Sequence, residues 1–164
     1  MRILIVSDSH SKKCNQKIAD LNKCDINIHC GDSQLNFSDE DLKCYQYKVR
    51  GNCDFDINYP DNCTFKLGDY DFFVTHGHVQ DVGFNTSKII EDSKTAKFIF
   101  HGHTHIVRCE EVDGKIIINP GSASSSRSNY TETYAVLEIL ENKYILEIKD
   151  FYTNKNIISK KGQL

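Results

Sequence analysis

One arrangement recurs along this chain and limits what it can become. Short apolar runs each end in a small polar piece rich in Asp, Asn or His. The run Arg2 to Val6 leads into Asp8-Ser9-His10, Ile26 to Cys30 into Gly31-Asp32, and Tyr45 to Val49 into Gly51-Asn52-Cys53-Asp54. Further on, Tyr70 to Thr75 leads into His76-Gly77-His78, and Lys97 to His101 into Gly102-His103-Thr104-His105. Runs of this length read as strands, and the continuous ones as strands buried on both faces. Side chains just past strand ends gather on one rim of a sheet, so residues far apart in sequence can share one site.

The first half alternates strand, helix, strand, short turn, strand, which predicts parallel pairing. Its helix spans Lys12 to Asn22, with Ile18 and Leu21 facing inward, and Ser38 caps an acidic turn over Asp39 to Leu42. The second half predicts hairpins. Thr64–Leu67 and Tyr70–Thr75 flank Gly68-Asp69, Ile106–Val112 and Lys115–Asn119 flank Asp113-Gly114, and Glu132–Leu140 and Tyr144–Phe151 flank Glu141-Asn142-Lys143. A late helix is expected over Thr86 to Ser93. The fold class is therefore α/β, two mixed sheets packed together with helices outside. Ser122 to Ser128 holds five serines with Ala123 and Arg127 and reads as a mobile loop.

Size and charge narrow the function. A chain of 164 residues predicts a single domain over 1–164. Net charge is −3, which supplies no basic footprint for nucleic acid or an anionic membrane. The first apolar run is too short for a secretion signal or a membrane span, and Asp8 interrupts it. Seven cysteines, an odd number with no C-x-x-C pair, argue against a disulfide framework or a zinc ribbon. Free thiols in a reducing cytoplasm are the expectation.

The polar pieces carry the chemistry. Carboxylate and amide oxygens mixed with imidazoles suit two adjacent divalent ions, which points to a binuclear metal hydrolase. Asp8 and His10 lie two apart, and alternation lets both face one ion. Asp32 can bridge two ions, as histidine cannot, across the roughly 3.5–4 Å such pairs need. Asn52 offers a neutral hard oxygen. Three of the seven histidines fall within residues 101–105, more than packing explains.

In order, D-x-H, G-D, G-N-x-D, G-H and G-H-x-H resemble the motifs of the calcineurin-like metallophosphoesterases, in their small bacterial and archaeal phosphodiesterase branch. The opening Met1 to His10 and Asn119-Pro120-Gly121-Ser122 match that branch as well. The resemblance implies a four-layer α/β/β/α sandwich. It implies Asp8, His10 and His105 on one metal, Asn52, His76 and His103 on the other, and Asp32 between them. The reaction it implies is hydrolysis of a small phosphoester, a diester or a nucleotide-like substrate, by a metal-bridging hydroxide. Mn²⁺ is the expected ion, with Ni, Fe, Co or Zn as alternatives. Larger relatives carry His where this chain has Cys53, and there it protonates the leaving oxygen together with the acidic residue that follows, here Asp54. A neutral thiol suits that role poorly, so activated leaving groups should be preferred, with His78 or His101 as other proton sources. His101 also stands as a substrate-facing residue, and Arg127 and Arg50 as phosphate contacts. Two alternatives remain open: a phosphomonoesterase of the same fold, and a non-catalytic scaffold like a retromer-subunit relative. Oligomeric state is not legible.

Overall fold

The computed structural model describes residues 1–164 and contains eleven strands and two α-helices. The strands are β1 (Arg2–Val6), β2 (Ile26–His29), β3 (Tyr47–Lys48), β4 (Asn62–Leu67), β5 (Tyr70–Thr75), β6 (Phe98–Phe100), β7 (Val107–Val112), β8 (Lys115–Pro120), β9 (Thr133–Leu140), β10 (Lys143–Asp150) and β11 (Asn156–Gln163). Helix α1 is Asn15–Asn22 and α2 is Ser87–Asp92. One sheet runs β11-β10-β9-β1-β2-β3 and the other β4-β5-β6-β8-β7. Both are mixed. β1, β2 and β3 pair in parallel, as do β5, β6 and β8, while the hairpin partners pair antiparallel.

Strand parity builds the layers. Side chains alternate faces along a strand. Ile3 and Ile5 of β1, Phe72 and Val74 of β5, and Phe98 and Phe100 of β6 meet between the sheets in one apolar layer. Leu4 and Val6 face the other way, packing with Ile18 and Ala19 of α1. Phe73 and Ile99 do the same on the far side, against Ile89 of α2. The apolar runs are continuous because both faces are covered, and the result is the four-layer sandwich. Each such side chain contributes roughly 1.5–3 kcal/mol through burial. An aromatic stack ties the sheets at one edge: Phe98, Phe72 and Phe65 lie 5.0 Å apart in sequence, and Tyr47 of β3 stacks on Phe65 at 3.8 Å.

Several local expectations give way. Helix α1 begins at Asn15 and not at Lys12, because Cys14 takes non-helical backbone (φ −140°) and stands as its N-cap. The Asp41 carboxylate accepts from the N–H groups of Cys14, Asn15 and Gln16, capping α1 from another segment. Leu21 is exposed while Ile18 is buried. The acidic turn is a 3-10 turn, Glu40–Leu42, capped by the Asp39 side chain rather than Ser38. β11 was not expected. No helix is long and apolar enough to cross a membrane.

Candidate metal centre

The loops bearing the expected ligands follow the C-terminal ends of β1, β2, β3, β5 and β6. Asp8 and Asp32 follow two neighbouring parallel strands of one sheet, and His76, His103 and His105 follow two neighbouring parallel strands of the other. Packing the sheets face to face brings these ends together. Asp8 and His76 are wholly buried at the floor. Above them opens a cavity of about 340 Å³ whose walls include His10, Asp32, Asn52, His103 and His105. Cys53 and Arg127 also line it.

The distances are short. His105 Nε2 lies 3.1 Å from Asp8 Oδ1 and 3.2 Å from His10 Nε2. His76 Nε2 lies 3.4 Å from Asp32 Oδ2 and 3.9 Å from Asp8 Oδ1. The ring centroids of His76 and His103 are 5.2 Å apart. The Asn52 amide lies on the same wall, its Nδ2 3.2 Å from Cys53 Sγ.

Hydrogen bonds outside the cluster fix which atoms point in. His76 Nδ1 donates to the Cys30 carbonyl at 2.7 Å, and His105 Nδ1 to the Ser125 carbonyl at 2.6 Å. In the neutral rings Nε2 then carries a lone pair, the tautomer a metal ligand needs. Asp8 Oδ2 accepts from the Ser7 hydroxyl and the His103 N–H, leaving Oδ1 free. Asp32 Oδ1 accepts from the Cys53 N–H at 2.7 Å. Asp8 Oδ1 and His76 Nε2 are buried with no hydrogen-bond partner. His105 Nε2 approaches Asp8 Oδ1 at 3.1 Å; when the ring is neutral its proton sits on Nδ1 and two lone pairs face each other there, and only the protonated ring can donate to Asp8. A buried polar atom left so costs about 1–3 kcal/mol.

The electrostatics agree. Burial works to raise the Asp8 carboxyl, but His105, His76 and the Ser7 hydroxyl outweigh it and hold it below its ordinary value. Burial likewise opposes, and His76 and the Cys53 N–H overcome it, in lowering Asp32. Burial would lower His76, yet Asp32 and Asp8 raise it, and Asp8 also raises His105. The pocket favours positive charge. Carboxylates and imidazoles aimed at a common centre are the donors that Mn, Fe, Co, Ni or Zn ions take, so the residues present fit such ions.

The backbone is bent to achieve this. Asp8, His10, Asp32, His103 and His105 all have positive φ, between 43° and 68°. Each non-glycine residue there costs about 1–2 kcal/mol. Two glycines permit the close approach. A Cβ on Gly51 would stand 2.0 Å from Asp32 Oδ1, and one on Gly102 would stand 1.8 Å from Ser7 Oγ.

Other expected site residues lie elsewhere. Asp54 is buried, and its carboxylate accepts from the N–H groups of Asp32, Gly51 and Gln34 and from the Ser33 hydroxyl. Committed to those donors, it clamps the Asp32 loop and does not reach the cavity. His101 is also a correction, for it is buried beneath the rim against Gly102 and Asn119 and cannot face substrate. Arg50 is engaged by Asp61. His78 stands beside His76 and His103, half-buried, and burial with the two neighbouring rings lowers it. The serine stretch is not a free loop. Ser122 and Ala123 are fully buried, and the Ser122 and Ser124 hydroxyls both donate to the Asp8 carbonyl at 2.8 Å.

Sequence reasoning missed one buried pair. Gly31 N–H donates to His29 Nδ1 at 3.2 Å, so His29 Nε2 carries the proton and donates to Ser9 Oγ at 3.1 Å. His29 therefore laces the Asp8 loop to the Asp32 loop. Its position one residue before Cys30-Gly31-Asp32 was the only available signal.

A two-sheet sandwich holding clustered carboxylates and imidazoles where both sheets end defines a metal-dependent phosphoesterase class. The chain belongs to the calcineurin-like phosphoesterase superfamily, whose domain model matches residues 1–142. It is 37% identical to a probable metallophosphoesterase of Bacillus subtilis, over 87% of this chain and 86% of that one. It is 32% identical to a phosphodiesterase of Methanocaldococcus jannaschii, over 74% of this chain and 83% of that one. The crystal structure of an uncharacterised Streptococcus pneumoniae protein, described as a predicted phosphoesterase, superposes with a TM-score of 0.91 at 27% identity, over 99% of this chain and 97% of that one.

Proposed function

We propose that this chain, as one domain over residues 1–164, is a binuclear metal-dependent phosphodiesterase acting on a small phosphoester. The observation carrying the reading is the pair of buried atoms without partners, Asp8 Oδ1 and His76 Nε2, at the centre of converging lone pairs. Asp8, His10 and His105 would hold one ion and Asn52, His76 and His103 the other, with Asp32 shared; Mn²⁺ is the ion of this reading. Such ions, when bound, supply a more acidic water and charge neutralisation at phosphorus.

The chain's own residues do the rest. The carbonyls of Cys30 and Ser125 keep the His76 and His105 protons on Nδ1, so each Nε2 stays available. The Asp54 carboxylate and the two serine hydroxyls on the Asp8 carbonyl hold the ligand loops before substrate arrives. Preorganisation of this kind lowers the cost of reaching a charged transition state. Arg127 lines the cavity and would pair with a phosphoryl oxygen. His78, outside the wall and lowered by burial and its neighbouring rings, is mostly unprotonated near neutral pH, so esters with activated leaving groups are favoured. Raised by burial and by the Asp32 carboxylate beside it, the Cys53 thiol holds its proton too tightly to serve.

The test compares hydrolysis of bis-nitrophenyl phosphate with that of the monoester, in Mn²⁺, alongside metal analysis. Two ions per chain and faster diester turnover are expected. Faster monoester turnover assigns a phosphomonoesterase. Two bound ions with neither ester turned over assigns the scaffold.

A further inference from the structure

The mechanism leaves Cys53 without a step, yet its thiol lies on the cavity wall beside two expected ligands. We propose that Cys53 is a soft-metal ligand at the mouth of the centre. With His10 and Asp32 it binds Co²⁺, Zn²⁺ or Cd²⁺ through Sγ, and it leaves Mn²⁺ alone. The inference rests on the metal-centre reading above and adds to it a device that tells one ion from another.

The geometry supports a three-donor set. A His10 ring nitrogen, an Asp32 carboxylate oxygen and Cys53 Sγ lie within 4.8 Å of one another. Tetrahedral zinc, with bonds of about 2.0–2.3 Å, holds its donors roughly 3.3–3.8 Å apart, so a small side-chain rotation closes the set. The Cys53 peptide is already pinned by its N–H bond to Asp32 Oδ1 at 2.7 Å. Asn52 Nδ2 donates toward Sγ at 3.2 Å and fixes the sulfur beside the cavity. Cys53 is half-buried and open to the cavity.

A second observation makes this more than an isolated cysteine. Both partners of Cys53 border a buried atom that lacks a partner of its own. His10 Nε2 is 4.0 Å from Asp8 Oδ1, and Asp32 Oδ2 is 3.4 Å from His76 Nε2. The remaining six cysteines join no such group of donors.

Softness then decides which ion recruits the sulfur. Thiolate favours zinc-like ions, whereas manganese prefers oxygen and imidazole. As the sulfur–metal bond forms, the thiol proton passes to solvent, and nothing is oxidised or reduced. The sulfur takes a coordination position at the cavity mouth, the side from which a phosphoester enters, so the Co²⁺- and Zn²⁺-loaded forms carry a donor where substrate would bind.

The test is optical. Metal-free protein is titrated with Co²⁺, whose visible bands report uptake and whose near-ultraviolet sulfur-to-cobalt band reports thiolate ligation. The sulfur band is expected in the wild-type chain and lost in both C53S and C53A, with the visible bands retained and Mn²⁺ affinity equal in all three. Melting curves confirm that the variants fold. Visible bands with no sulfur band, or a sulfur band that survives in both variants, overturns the inference while leaving the metal-centre reading intact. Failure to take up either Co²⁺ or Mn²⁺ overturns both.

Discussion

The layer between the sheets and the rim just beyond it are built to opposite rules. Between the sheets, Phe72, Phe98, Phe100, Ile116 and Ile118 are fully buried apolar side chains on regular strands. A few residues past the ends of those strands, left-handed backbone recurs, glycines stand against carboxylates, and four buried polar atoms, on Asp8, His76, His78 and His101, go without partners. Stability and function are therefore stored in different places. The inner layer offsets conformational strain at the rim, and the rim spends that stability on a pocket primed for positive charge. Substitutions should separate along this line.

The largest effect is expected in the layer. Phe72→Ala removes the middle ring of the aromatic stack. It should cost about 3–5 kcal/mol of folding stability in urea unfolding. A loss below about 1 kcal/mol would mean the inner layer is not the source of stability. At the rim, Asp32→Ala should lower kcat about a thousandfold, some 4 kcal/mol in the barrier. The metal-free protein should melt only modestly lower, since the lost carboxylate made one backbone hydrogen bond and one imidazole contact. A variant that is both inactive and strongly destabilised would erase the distinction.

His29 lies under the rim and tests the border between the two regions. Burial pushes it down from 6.5 to about 4, against the opposing pull of Asp54 and Asp8. In the unfolded chain it takes a proton near 6.5, whereas in the folded chain it resists until about 4. Stability is thus full above 6.5 and is lost as pH falls through that window. The loss should be about 2 kcal/mol between pH 7 and pH 5, and unfolding of His29→Gln should lack that component. The smallest effect is expected at the outer wall. Arg127→Ala should raise KM about tenfold, or 1.4 kcal/mol, with kcat little changed. Unchanged kinetics would remove Arg127 from the substrate site.

The same two regions explain what could be read in advance. The inner layer was legible because strands covered on both faces must be apolar throughout, and β1, β5 and β6 are. The clustering of these residues was legible because their types and order are unusual for surface loops: donor atoms of Asp8, Asp32 and His76, and of Asp8, His10 and His105, lie within 4.8 Å of one another. β11 was not legible. Its sequence, NIISKKGQ, carries two lysines at a sheet edge, and its pairing with β10 rests on backbone bonds that any sequence can make. The serine stretch misled because composition cannot tell a free hydroxyl from one bonded to the Asp8 carbonyl. Asp54 misled for a similar reason: a carboxylate next to a reactive position looks chemical until its donors are counted.

One detail bears on how such a centre endures. The rings of His76 and His105 are oriented by main-chain carbonyls, those of Cys30 and Ser125, and not by side chains. Point mutation cannot delete a peptide oxygen. Genetic drift can therefore rewrite the identities around these two imidazoles without turning either ring, and the loops over the mouth are free to diversify toward new esters while the floor keeps its aim.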